Sequence, residues 1–341
     1  MARLSPPFTA EPGTEEFERV ICASLATSTV AVYEQMERIR ESALRRNPEL
    51  GVHAVLLYQS GWFVLWAEGP AKTVRKLMAR VGRDKRHHTP IVVHHSRGVR
   101  CLPTVWSMML SPSAEPADVF GLRVAALRDA LTHGTQFAPT SVIRRLSAPM
   151  QLPQAQALAD PEAFHRVGVC AADANPAFDL VRWLARHHGE PTERRRFAGE
   201  DDLDSGSDYV EFMHEGSPCR VIAVSRKGLL HGVRRAFLPD WPHLLLLFSG
   251  NPLRDETLMD RVREACQGLP ASPALLGVAP DAATHTNTAR QATYARLTYL
   301  PLGVMAADDP KAIWEAVSQQ LQRVGTPTSS AWSVLESSLE A

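Results

Sequence analysis

Three groups of residues in this sequence are of types that could do chemistry. Cys22, in Ile21-Cys22-Ala23-Ser24, carries a thiol that could serve as a redox or adduct-forming group. A cysteine inside an apolar strand more often packs as a small hydrophobe. The histidine pairs at 87–88, 94–95 and 187–188 and the acids Asp201, Asp202 and Asp204 are of metal-binding type. Neighbours along a strand point to opposite faces, so His94 and His95 do not share one ion. The chain shows no ordered zinc spacing, and the acids lack the closing glutamate of a calcium loop. Solvated surface histidines, a solvated acidic loop and no metal are expected. The third group is a strand–loop–helix stretch, Ala171-Ala172-Asp173-Ala174-Asn175-Pro176-Ala177-Phe178. A working phosphate loop there reads Gly-x-x-x-x-Gly-Lys-Ser/Thr, because small residues let backbone N–H groups cradle phosphate. This stretch has no glycine, lysine or hydroxyl; Asp173 adds an anion, and Pro176 removes a donor. No Gly-x-Ser-x-Gly elbow or dinucleotide fingerprint is present. No catalytic residue is assigned, and the chain is not expected to be an enzyme.

The elements that would hold these residues fall into two halves. Lysine plus arginine and aspartate plus glutamate each number 37 in 341 residues, so no charge excess argues for nucleic acid. The longest apolar run, Leu244 to Phe248, is far short of the roughly 20 residues that span a bilayer. Five scattered cysteines and no apolar signal core at the start point to reduced thiols in a cytoplasm. Residues 1–15 and 326–341 read as tails. Apolar spacing from residue 16 to 110 predicts strands at 17–25, 52–58, 62–67, 90–95 and 101–109, with helices at 30–46 and 71–83. Residues 111–163 read as a helix and linker. From 164 to 325 strands and helices alternate, which argues for a mostly parallel α/β sheet.

Between 16 and 110 the sequence resembles a BLUF domain, a flavin-binding blue-light sensor. The resemblance rests on Asn47 after the first helix, Leu56-Leu57-Tyr58-x-x-Gly61-x-Phe63, Glu68-Gly69-Pro70, Arg83-Asp84-Lys85-Arg86-His87 and Trp106-Ser107-Met108. It implies a ferredoxin-like α+β sandwich with flavin-pocket positions at Cys22, Asn47, Leu65, Trp106 and Met108. In that family the position of Cys22 is a tyrosine that donates an electron and proton to excited flavin. The position of Leu65 is a glutamine that rearranges its hydrogen bonds. Val52-His53-Ala54 and Leu102-Pro103 depart from the pattern as well. A degenerate domain without photoactive flavin, and with no cofactor, is expected. Flavin held without photochemistry is the alternative.

The second half resembles a Ras-like small GTPase of the bacterial polarity type in the order of its elements; a generic or receiver-like α/β domain is the competing reading. The resemblance implies remnant phosphate-loop positions at Ala171, Asp173, Asn175 and Pro176, with Gly228 left from an Asp-x-x-Gly. A P-loop-GTPase-like sheet that neither grips nor hydrolyses GTP is expected. Together the halves point to a non-enzymatic signalling or scaffold protein. Its partners would be other proteins, among them motility-polarity components, and self-association as a homodimer is compatible with both folds. Neither nucleic acid nor membrane insertion is expected. The rival class is a ligand sensor still binding flavin or a nucleotide in a remodelled pocket.

Overall fold

The computed structural model describes residues 16–324 apart from 112, 114, 136, 148–163, 174, 199–204, 226, 231 and 270. The two tails, most of the expected linker and the acids Asp201, Asp202 and Asp204 lie outside the described residues. The N-terminal part runs β1 (Phe17–Ala26), α1 (Val32–Leu50), β2 (His53–Gln59), β3 (Trp62–Gly69), α2 (Ala71–Val81), β4 (His87–Gly98) and β5 (Trp106–Ser111). Its strands lie in the order β5-β2-β3-β1-β4, with only the β2–β5 pair parallel. Alternation along these strands sends two apolar sets to opposite faces. Ala54, Leu56, Phe63 and Met108 meet Met36 of α1 on one face. Val55, Leu57, Val64 and Trp66 meet α3 (Ala117–Thr132) and α4 (Pro139–Leu146) on the other. This is the ferredoxin-type sandwich expected, with its reverse face closed by helices from the stretch read as helix and linker.

The second half contributes β6 (His165–Ala171), α5 (Pro176–His188), β7 (Glu193–Ala198), β8 (Ser205–His214), β9 (Ser217–Val224) and the short α6 (Gly232–Phe237). It continues with β10 (His243–Leu247), α7 (Pro252–Cys266), β11 (Ala274–Ala279), α8 (Ala282–Tyr294), β12 (Tyr299–Val304) and α9 (Pro310–Val324). Strands β12-β11-β10-β6-β9 are parallel; the apolar runs of β11, β10, β6 and β9 are buried on both faces as inner parallel strands require, while the edge strand β12 is partly exposed. One face packs on α5 and α9 through Leu180, Leu184 and Trp314, the other on α7 and α8 through Leu258, Val262 and Ala292.

The expectation of two separate sheets is corrected. β8 and β7 run antiparallel beyond β9, and β7 pairs with β5 through Met108–Ala198, Met109–Phe197 and Leu110–Arg196. Among the described residues a single mixed sheet of 12 strands therefore crosses both halves. Strand β7 escapes the periodicity reading because Arg194-Arg195-Arg196 masks its alternation. Arg195 nonetheless faces inward, its guanidinium 4.1 Å from the centre of the Tyr209 ring. Arg196 faces the other way, 3.7 Å over Tyr33 of α1. Long arginine stems can bury while the head finds an aromatic face.

Candidate functional site

A cavity of about 380 Å³ opens between α1 and α2 over the N-terminal sheet. The pleat builds its floor. Cys22 is opposite Leu65 in the β1–β3 ladder, Leu65 is opposite Leu56, and Leu56 is opposite Met108. These four residues form one cross-strand row on one face of the sheet. Cys22, Leu56 and Leu65 line the cavity, while Met108 is packed in the core beside it. Asn47, in the last turn of α1, and Trp106, at the start of β5, line it too. Four of the five expected pocket positions thus converge on one space, and the fifth supports its floor.

Each polar group there has a definite setting. Asn47 Nδ2 donates to Val105 O at 3.3 Å, tying the end of α1 to the chain just before Trp106. The Trp106 side chain is 3 % exposed as a residue, and its indole N–H has no hydrogen-bond partner among the described residues. A buried orphan donor is costly, and this one stands on the cavity wall. Cys22 sits beside a register shift in the β1–β4 pairing. Burial pushes its thiol up to about 11, so it stays protonated near neutrality. That setting fits packing rather than thiolate chemistry.

The rim is a feature that helical periodicity does not reveal, because the pattern identifies only the apolar face. Arg38 and Arg46 of α1, Arg80 of α2, and Arg83 and Arg86 just beyond it all line the cavity. Arg86 pairs with Asp84, whose carboxyl is held below its ordinary range chiefly by that hydrogen bond. Arg38, Arg46 and Arg80 form no ion pair among the described residues. An apolar floor with a few donors and a cationic rim suits a flat heteroaromatic group carrying phosphate.

Glu68 secures the floor from behind. Its carboxylate accepts from Cys101 N at 2.8 Å, Leu102 N at 2.9 Å and Trp66 Nε1 at 3.1 Å. Burial raises its pKa, and these donors oppose the rise.

Other expected sites resolve differently. Asp173, at the phosphate-loop position, forms an ion pair with Arg254 of α7. Asn175 precedes α5 without capping it through its side chain, and Pro176 occupies the first turn. Ala171 ends β6 in the core. At Gly228 an added Cβ would meet the Arg234 guanidinium and the Ser225 hydroxyl. The expectation of solvated histidines is corrected at His94, which is 2 % exposed and lies 2.8 Å from Ser96 Oγ. His95 instead meets Glu18 at 3.1 Å. Among the described residues no three metal-type side chains cluster. No helix among them is long and apolar enough to cross a membrane.

Comparison with known proteins agrees with the geometry of the N-terminal part. Residues 18–109 match the family described as BLUF, sensors of blue light using FAD, so this part of the chain is a BLUF domain. A photoactivated adenylate cyclase subunit beta of Euglena longa is 27 % identical over 155 residues, 43 % of this chain and 17 % of that protein. The subunit beta of Euglena gracilis is likewise 27 % identical over 155 residues, 43 % of this chain and 18 % of that protein. The chain thus spans under a fifth of the length of these relatives. Among solved structures, the BLUF protein BlrB in its dark state has 19 % identity and a TM-score of 0.27, covering 43 % of this chain and 92 % of that one. A bacterial light-regulated adenylyl cyclase has 13 % identity and a TM-score of 0.26, covering 74 % of this chain and 88 % of that one.

These relatives overturn the expectation that the chain is no enzyme, since the curated ones are subunits of an adenylate cyclase. The family match ends at residue 109 and gives the small-GTPase-like reading of the second half no support.

Proposed function

We propose that the N-terminal BLUF domain binds a flavin nucleotide between α1 and α2, and that occupancy of this cavity sets the state of a signalling protein with an enzymatic output. The observation that carries the reading is the cavity itself: open, apolar-floored, rimmed by arginines, and walled by a buried indole N–H without a partner. Trp106 and Asn47 would donate to the acceptor edge of the ring, and Leu65, Leu56 and Ile39 would cover its faces. Arg38, Arg46 and Arg80 would meet the phosphates. Bound flavin supplies light absorption and electron acceptance. Cys22, a protonated thiol, and Leu65, a hydrocarbon, offer neither a phenol to be oxidised nor an amide to rearrange. The domain so read responds to the presence of the nucleotide, or to its redox state, rather than to light-driven tyrosine oxidation.

In the cyclase relatives the matching segment belongs to a subunit named for photoactivation, which supports placing this domain as an input to catalysis. For the second half the support reaches layout alone. Its strand order reverses at β6, where a doubly wound sheet offers a crevice at the carboxyl ends of its strands. The Asp173–Arg254 pair joins the loop after that strand to α7.

Titration of flavin-free protein with FMN, FAD and riboflavin, followed by quenching of flavin fluorescence, tests the proposal. Micromolar binding is expected for FMN and FAD, at least tenfold tighter than for riboflavin, about 1.4 kcal/mol. No quenching by any of the three would remove the reading. Cyclic AMP formation from ATP and magnesium by the same preparation, with and without FAD, tests the enzymatic output.

A further inference from the structure

The seam between the two halves encloses a second cavity, of about 50 Å³, on the sheet face opposite the first. Met109 of β5 and Phe197 of β7 form part of its wall. Five arginines from five elements also line it: Arg144 of α4, Arg166 of β6, Arg195 of β7, Arg220 of β9 and Arg234 of α6. One of them is answered in full view. Arg220 pairs with Glu211 and donates to Ser147 O at 2.6 Å.

Arg195 and Arg234 are different. They are 7 % and 2 % exposed, so solvent does not satisfy them. Arg195 Nε donates to Ser111 Oγ at 3.2 Å, but its Nη2 has no hydrogen-bond partner among the described residues. Both terminal nitrogens of Arg234 are likewise without one, as is the buried hydroxyl of Ser207, which lines the same space. Aromatic rings hold the guanidinium planes, Phe197 at 4.0 Å from Arg234 and Tyr209 at 4.1 Å from Arg195. Rings satisfy the faces and leave Nη2 of Arg195 and both terminal nitrogens of Arg234 open.

Unpaired buried cations with unmade hydrogen bonds are among the costliest groups a fold can hold. Burial pushes Arg234 down to about 9, which still leaves it charged at neutral pH. A counter-anion with several acceptor oxygens removes both costs at once. The size of the space sets which anion. One water needs roughly 10–15 Å³ by this measure, so the cavity admits a group of a few heavy atoms and excludes a nucleotide.

We propose that this cavity binds a small tetrahedral oxyanion of the phosphate or sulfate class, held by the N–H edges of Arg195 and Arg234 and by the Ser207 hydroxyl. The planar N–H fork of arginine matches such oxygens. Because the ligands come from β7, β8 and α6, and α6 lies against the loop before β5, the anion clamps the seam.

The test uses the full chain, dialysed into chloride buffer free of phosphate and sulfate. Its thermal midpoint is followed as phosphate, sulfate, AMP or further chloride is added at constant ionic strength. Phosphate and sulfate are expected to raise the midpoint by about 5 °C at a hundredfold excess over Kd. Chloride and AMP are expected to do much less. Arg234→Met, which keeps bulk and removes charge, is expected to abolish the rise and to weaken phosphate binding at least tenfold, about 1.4 kcal/mol, by calorimetry. Arg128→Met, at an exposed residue of α3 that lines neither cavity, is expected to leave both intact. The ³¹P line width of phosphate with the unaltered chain gives a readout that does not depend on a variant folding. Line width and midpoint unresponsive to phosphate beyond the chloride control would overturn the site. An equal rise in Arg234→Met, or an equal effect of AMP, would overturn it too.

Discussion

Cys22 and Leu65 face each other across one ladder position, so the two departures from the light-sensing pattern are one departure in space. Both border open volume, and larger side chains can enter it. The double variant Cys22→Tyr/Leu65→Gln, loaded with FAD, is expected to show a light-induced change in flavin absorption that the unaltered chain and either single variant lack. Transient absorption spectroscopy checks this. The thiols give a second expectation. Burial holds Cys22, Cys101 and Cys266 near 11, and it raises Cys219 as well. Ellman's reagent at pH 8 is therefore expected to count far fewer than the five cysteines in the native chain and all five in denaturant. The convergence of Cys22, Asn47, Leu65 and Trp106 was legible in the sequence because each sits at a fixed place in a recurring pattern. The arginine rim was not. Exposed residues on two helices follow no apolar period, and only the approach of α1 to α2 brings Arg46 near Arg80. Glu68 also hid its task, since nothing local shows that its carboxylate reaches the backbone at 101 and 102. Glu68→Ala would orphan three donors at once and is expected to cost about 2–4 kcal/mol in urea unfolding.

Among elements, those marked by alternation or amphipathicity were readable, and those built on arginine or proline were not. Strand β7 and helix α4 lie in stretches that look polar or broken, yet Phe197, Val142, Ile143 and Leu146 complete the core over the reverse face of the N-terminal sheet. Helix α6 begins at Gly232, where a Cβ would collide with Thr104 and Ser107 ahead of and within β5. Gly232→Ala is expected to destabilise the chain by about 1–3 kcal/mol, read by urea midpoint, because overpacking there separates α6 from β5. Strands β4 and β6 carry a pH response. Burial, above all, holds His94 and His165 near 4, against about 6.5 for a free histidine. The unfolded chain takes up these protons first as pH falls. The stability they allow is therefore complete above about 6.5 and is lost progressively between there and 4. A loss of about 2 kcal/mol per histidine is expected by pH 5, and His94→Gln is expected to flatten the slope of unfolding free energy against pH.

At the scale of the whole molecule, the two halves that composition and motifs separate are joined by three residue pairs of one ladder. No sequence pattern announces such a join, since strand pairing across a long separation depends on what the intervening chain brings together. Loss of far-ultraviolet circular dichroism and of tryptophan fluorescence is expected to coincide in one urea transition, because Phe197 and Ala236 of the second half complete the N-terminal core. Strand β5 is the element that both cavities share. Trp106 and Met108 face the flavin-type cavity side of the sheet, while Met109 lines the arginine cavity and Ser111 bonds to Arg195. Two ligands backed onto one strand cannot be energetically private if either shifts it. Reciprocity then fixes a number: whatever factor an oxyanion imposes on flavin affinity, flavin must impose on oxyanion affinity in turn.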